Sequence, residues 1–128
     1  MFELDECLLC CNTTVSDFCS VCSDLQRDAH TIMVVEMPGD LLMVEQTGTY
    51  DGLYHVLHGA ISPVKGIGPN DLRIRELVRR VQDDARVKEV IIATHSGIEG
   101  DSTALYIQRY ALAGRGLKIT RLHLAGLS

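Results

Sequence analysis

The spacing Cys7-x2-Cys10-x8-Cys19-x2-Cys22 limits what the start of this 128-residue chain can fold into more than any other feature. Each close pair turns two sulfurs toward one point, so four thiolates complete a tetrahedral Zn²⁺ site. The intervening Asn12-Thr13-Thr14-Val15-Ser16-Asp17 is polar and turn-rich and has no core of its own. Metal must then supply the folding free energy of this stretch. Two disulfides are the alternative, disfavoured by a spacing that suits metal and a chain that reads as living in a reducing compartment; a redox Cys-x-x-Cys is weaker still. Cys11 is the odd thiol, and Cys10, not Cys11, keeps the two-residue spacing. Four cysteine ligands leave no open position for a substrate water, so the expected role of the zinc is structural.

The net charge of −5 is unevenly distributed. Residues 1–28 hold Glu3, Asp5, Glu6, Asp17, Asp24 and Asp28 against Arg27 alone, and the remainder is balanced. Neither part has the clustered Lys and Arg that phosphate neutralisation needs, so any DNA binding is expected to be assisted. No apolar run approaches the roughly 18 residues of a membrane span. Met1-Phe2-Glu3-Leu4-Asp5-Glu6 lacks the basic flank and apolar stretch of a secretory signal, which leads us to expect a cytoplasmic protein.

After Arg27-Asp28-Ala29-His30 the texture becomes that of an α/β unit, dividing the chain into a finger over 1–28 and a second domain over 29–128. Thr31 to Met37 is a β-branched apolar run, the mark of a strand buried on both faces. Pro38-Gly39 turns the chain, and Asp40 opens a short helix ending near Thr47-Gly48. Tyr54 to Gly59 reads as the second strand. A helix capped by Asn70 or Asp71 follows, with Ile74, Leu77, Val78 and Val81 on one face. Val87 to Thr94 is the third strand, Ser96 to Gly100 its exit loop, and Asp101-Ser102 starts a helix through Leu112. The fourth strand is Leu117 to Leu124. Strands alternating with helices imply a parallel four-stranded sheet covered on both faces.

In such sheets, function collects at the carboxyl ends of the strands. Glu36 and Asp40 stand at one exit, Glu99 and Asp101 at another. Converging carboxylates bind a hard cation, with Mg²⁺ as the candidate, or raise one another's pKa. The simpler account makes Asp40 and Asp101 helix N-caps, worth about 1 kcal/mol each. Glu36 has no such role, and an acid ending an apolar strand must find a partner or water.

A four-cysteine finger running into V-V-E-x-x-x-D carries one part of a family resemblance. Thr47-Gly48-x-Tyr50-x-Gly52-x-Tyr54-His55-Val56-Leu57-x-Gly59 and Ser62-Pro63-x-x-Gly66-Ile67-Gly68-Pro69 carry another, and Ile92-Ala93-Thr94 leading to Glu99-Gly100-Asp101-Ser102-Thr103-Ala104-x-Tyr106-Ile107 completes it. Together they resemble the bacterial RecR recombination mediators over nearly the whole chain. The resemblance implies a Toprim domain, the fold shared with topoisomerases and bacterial primases, with Glu36, Asp40, Glu99 and Asp101 in its acidic positions. It also implies the job: with RecO or RecF, helping RecA replace single-strand-binding protein on gapped or single-stranded DNA during repair. RecR-like proteins act without known catalysis, as ring-shaped homo-oligomers. The enzyme alternative is a Mg²⁺-dependent nuclease or primase-like activity built on the same acids.

Three departures from that family stand out. Its helix-hairpin-helix segment is not found ahead of the finger, its usual Asn-Pro-Thr is replaced by His95-Ser96-Gly97, and the segment after Leu124 lacks the family's following proline. The arginines Arg73, Arg75, Arg79, Arg80 and Arg86 read as a solvated helix face, with Glu76–Arg80, Arg79–Asp83 and Arg80–Asp84 as four-apart pairs. His55 and His58 are expected on opposite faces, unable to share a metal. His95 is expected to reach water instead of joining the acids. Gly66-x-Gly68-Pro69 shapes a surface loop and is no phosphate loop, because no Lys-Ser or Lys-Thr follows.

Overall fold

The computed structural model describes residues 5–15 and 18–123. Its first elements are two short antiparallel strands, β1 (Asp5–Glu6) and β2 (Thr13–Thr14), with Glu6 opposite Thr13. They form the stem of the cysteine finger. Ser16 and Asp17 of the finger loop lie outside the described residues, as do Met1 to Leu4 and Leu124 to Ser128.

The apolar run forms β3 (Asp28–Val35), followed by α1 (Pro38–Thr47) and β4 (Gly52–Val56). A 3-10 turn over Pro69–Asp71 leads into α2 (Ile74–Asp83), then β5 (Glu89–Ile92), α3 (Ile98–Tyr106) and β6 (Lys118–Arg121). The four strands β3 to β6 make a wholly parallel sheet in the order β4-β3-β5-β6. The chain leaves β3 to one side for β4 and returns to its other side for β5. The carboxyl ends of β3 and β5 therefore flank a topological switch point, where open α/β sheets place their sites.

The core follows from the composition of the strands: Ile32, Val34, Val35, Val56, Val90 and Ile92 are almost wholly buried, as are Leu77, Ile107 and Leu112 from the covering helices. Cys7, Cys10 and Cys19 belong to the same apolar cluster, so the finger packs on the sheet. Val56 N–H donates to the Cys10 carbonyl at 2.7 Å, and Arg73 holds the Glu6 carboxylate through Nε and Nη2 at 2.8 and 2.7 Å. That pairing keeps the Glu6 carboxyl below its ordinary pKa. Arg27 closes the other side, pairing with Glu45 of α1, which also accepts the Tyr54 hydroxyl at 2.5 Å.

Several expected boundaries move, each for a local reason. The first helix begins at Pro38, because the first turn tolerates a missing N–H. Asp40 is thus not the N-cap but the third helical residue, and its carboxylate accepts the Met37 N–H at 3.2 Å. Asp101 is not an N-cap either: Gly97, at φ 115°, makes the turn and α3 is already under way at Ile98. The second strand runs Gly52–Val56 and not Tyr54 to Gly59, because His58 and Gly59 take φ of 61° and 141° and break the extension. The third helix widens into a π-helical turn over Ile107–Ala111. In the helix of arginines, Arg80 is buried and donates to the Tyr54 carbonyl at 2.5 Å. None of the three expected four-apart pairs forms among the described residues; Arg73 instead approaches Glu76, and Arg86 pairs with Asp84.

Candidate metal centre and acidic crevice

One ligand atom from each of Cys7, Cys10, Cys19 and Cys22 lies within 4.8 Å of all the others. A tetrahedral ion with metal–sulfur bonds of about 2.3 Å needs sulfurs roughly 3.8 Å apart, so the donor set fits a zinc-sized ion with small adjustment. The Cys10 and Cys19 sulfurs stand at 3.5 Å. Backbone N–H groups already point at the sulfurs: Cys19 N–H reaches Cys7 Sγ at 3.3 Å and Cys22 N–H reaches Cys19 Sγ at 3.4 Å. The bonds that Cys19 Sγ accepts, led by that from the Cys10 thiol, hold the Cys19 thiol well below its ordinary pKa. The same bond pushes the Cys10 thiol up, so metal binding there would release its proton.

Cys11 stands outside this cluster, as its spacing predicts, yet it has a structural part. Its backbone takes φ 68°, which swings the Asn12 N–H toward the Cys10 sulfur. Its own thiol is buried and pushed up to about 12, chiefly by desolvation. No disulfide joins any of the five cysteines.

The acids at the strand exits divide into two groups. Glu36 directly follows β3 and is almost buried, and its Oε2 accepts the His95 backbone N–H at 2.7 Å. The His95 ring then stands with Nδ1 3.6 Å from Glu36 Oε1 and Nε2 2.8 Å from Asp40 Oδ2. His95 therefore does join Glu36 and Asp40, contrary to the expectation that it reaches water, because β5 lies directly beside β3. Asp101 is held elsewhere, its Oδ1 accepting Arg121 Nη2 at 3.1 Å. Glu99 lines a cleft of about 340 Å³ with Glu36, His95 and Gly97, and its carboxylate has no hydrogen bond or ion pair among the described residues. Among those residues, only the four cysteines bring three or more His, Cys, Asp or Glu ligand atoms within 4.8 Å of one another. Glu36, Asp40, Glu99 and Asp101 thus do not gather round a single point.

The loop from Thr94 to Gly100 is fixed from several sides. Arg121 Nη1 donates to the Thr94 carbonyl at 3.0 Å and Nη2 to the His95 carbonyl at 3.3 Å. Thr94 Oγ1 donates to the Gly100 carbonyl at 2.7 Å. A Cβ on Gly100 would lie 1.8 Å from the His95 carbonyl oxygen, so only glycine allows α3 to start this close to the loop. Nothing in the sequence singles out Arg121, because a basic residue near a strand end gives no periodic signal; its partners are set by the sheet order. His55 and His58 take different partners: His55 Nε2 meets the Arg73 carbonyl at 2.8 Å and His58 Nε2 the Cys11 carbonyl at 2.6 Å.

Residues 30–123 match the Toprim domain family. The chain is 49% identical over 126 residues to the recombination protein RecR of Lactobacillus acidophilus, covering 98% of this chain and 62% of that protein. It is 50% identical over 126 residues to that of Lactobacillus delbrueckii subsp. bulgaricus, with the same coverages. Against that of Levilactobacillus brevis it is 47% identical over 120 residues, 94% of this chain and 60% of the relative. The chain thus spans about three fifths of the length of the curated relatives it matches.

Proposed function

Because the chain belongs to the Toprim domain family, and within it to the RecR recombination proteins, we propose that it is the core of a recombination mediator that works by binding and not by turnover. In this reading it assists RecA onto gapped or single-stranded DNA together with RecO or RecF, in the cytoplasm, as part of a homo-oligomer. No helix among the described residues is long and apolar enough to cross a membrane.

The observation that carries the reading is the way the acids are held. Glu36 and Asp40 are pinned by His95, and Asp101 by Arg121, into a fixed polar surface at the switch point. A surface built this way presents Asp101 and the Asp40–His95 pair to a partner, over an almost buried Glu36, without ordering cost at the moment of binding. The finger of residues 1–28 then serves as a zinc-held brace for the 29–128 domain, with Cys7, Cys10, Cys19 and Cys22 as the ligands and the metal supplying fold stability.

A second reading, a Mg²⁺-dependent nuclease or primase-like activity, draws on Glu99, whose unpaired carboxylate shares a cleft with Glu36. Both readings are tested by one experiment, RecA loading on gapped DNA coated with single-strand-binding protein, in the presence of RecO or RecF. The mediator reading expects faster loading with wild type and a loss with Glu36→Gln/Asp40→Asn, with the DNA left uncut in Mg²⁺. Mg²⁺-dependent strand cleavage or synthesis abolished by Glu99→Gln would establish the second.

A further inference from the structure

The finger and α2 meet along a cavity of about 470 Å³ whose walls include Leu8 and Leu9, the two residues inside the Cys7-x2-Cys10 turn, and Arg80. Arg80 is 6% exposed. Its Nη1 is satisfied by the Tyr54 carbonyl, but its Nη2 is fully buried with no hydrogen-bond partner. A guanidinium stays protonated in proteins, and a buried charged donor without an acceptor is destabilising unless a counter-charge is near. Among the described residues no carboxylate lining the same cavity bonds to Arg80: Asp84 feels its charge but pairs with Arg86, and neither Glu76 nor Asp83 pairs with it.

We infer that Arg80 is the positioning cation of the metal centre, its buried Nη2 facing the negative charge that four cysteine thiolates carry once they hold the ion. A divalent ion bound by four thiolates has a net charge of −2, so a fixed buried cation beside it stabilises the loaded state selectively. The place of Arg80 agrees, since its Nη1 holds the Tyr54 carbonyl two residues along β4 from Val56, whose N–H holds the Cys10 carbonyl. Residues that act on metal ligands from outside the coordination sphere typically change affinity by about 10–100-fold. Arg80 thereby couples α2 of the second domain to the finger, and the finger's metal becomes part of what sets the helix in place.

The inference rests on the four cysteines holding zinc, and the test separates the two. Zinc affinity of the full chain is measured by chelator competition for wild type, Arg80→Met, Arg80→Lys and Arg79→Met, each with the melting temperature of the metal-loaded and metal-stripped protein. Wild type should bind one zinc, and failure to do so overturns the zinc reading itself. Given binding, Arg80→Met should weaken it about tenfold or more, Arg80→Lys should recover most of the loss, and the exposed Arg79→Met should leave it unchanged. Destabilisation should appear in the loaded protein and not in the stripped one. Wild-type affinity in Arg80→Met, or equal destabilisation with and without metal, overturns the inference. Should Arg80→Met fail to fold, affinity in Arg80→Lys decides: within about threefold of wild type supports it, and a tenfold loss with charge retained overturns it.

Discussion

Glu36 Oε2 accepts the backbone N–H of His95 at 2.7 Å, a bond between neighbouring strand exits 59 residues apart in sequence. It fixes the loop after β5 against the end of β3 and carries the His95 ring to Asp40. Because the donor is backbone, His95→Ala keeps this bond and loses only the contacts of a half-exposed ring, at a cost expected to be about 1 kcal/mol or less. Glu36→Ala removes the acceptor from a part-buried N–H and should cost about 1–3 kcal/mol, with Glu36→Gln between the two. Chemical denaturation of the three variants checks the order.

Gly100 and Gly39 make a matched pair. Gly100→Ala drives a Cβ into the His95 carbonyl and should cost more than about 3 kcal/mol or displace the loop. Gly39, in the first turn of α1, has nothing within 4 Å of such a Cβ, so Gly39→Ala should be neutral or stabilise by up to about 1 kcal/mol. Thermal melts of both variants read the contrast.

The two adjacent cysteines should separate on metal content. Cys10→Ser is expected to lose zinc and unfold the finger, as is Cys19→Ser. Cys11→Ser should keep one zinc per chain, since its sulfur lies outside the cluster and its contribution is the left-handed backbone at φ 68°. Elemental analysis after dialysis gives the stoichiometry of each.

His55 is fully buried, and desolvation above all pushes its pKa down to about 3. The folded state therefore prefers the neutral ring, with Nε2 on the Arg73 carbonyl. This contribution is complete above the unfolded value near 6.5 and is lost as pH falls from there toward 3, at about 1.4 kcal/mol per pH unit. Between pH 7 and pH 5 it should cost the wild type about 2 kcal/mol more stability than His55→Gln, measured as the difference between their urea-denaturation slopes with pH. Parallel slopes would contradict the assignment.

The strand-helix alternation and the four-cysteine site were legible because period and spacing are local properties. Glu36 could be singled out as an acid needing a partner, but the partner could not be read from the sequence. That His95 meets it depends on β5 lying beside β3, which sequence order does not specify. Arg80 is hidden for the opposite reason: its neighbours Glu76 and Asp84 fit a solvated charge ladder, and only the packing of α2 against β4 and the finger sets it apart. Asp40 and Asp101 suggest helix starts a few residues too late, because Pro38 and Gly97 begin their helices earlier.

The central claim is that Glu36 and Asp40, held by His95, form a surface that a mediator partner reads. Its most direct test is a binding titration of RecO with the wild-type chain and with Glu36→Gln/Asp40→Asn, alongside the melting temperature of each. Binding by wild type and at least a tenfold loss in the variant, with the melt lowered by no more than the small cost expected of Glu36→Gln, is the predicted result. Equal affinity in the two, or no binding by a folded wild type, would contradict it.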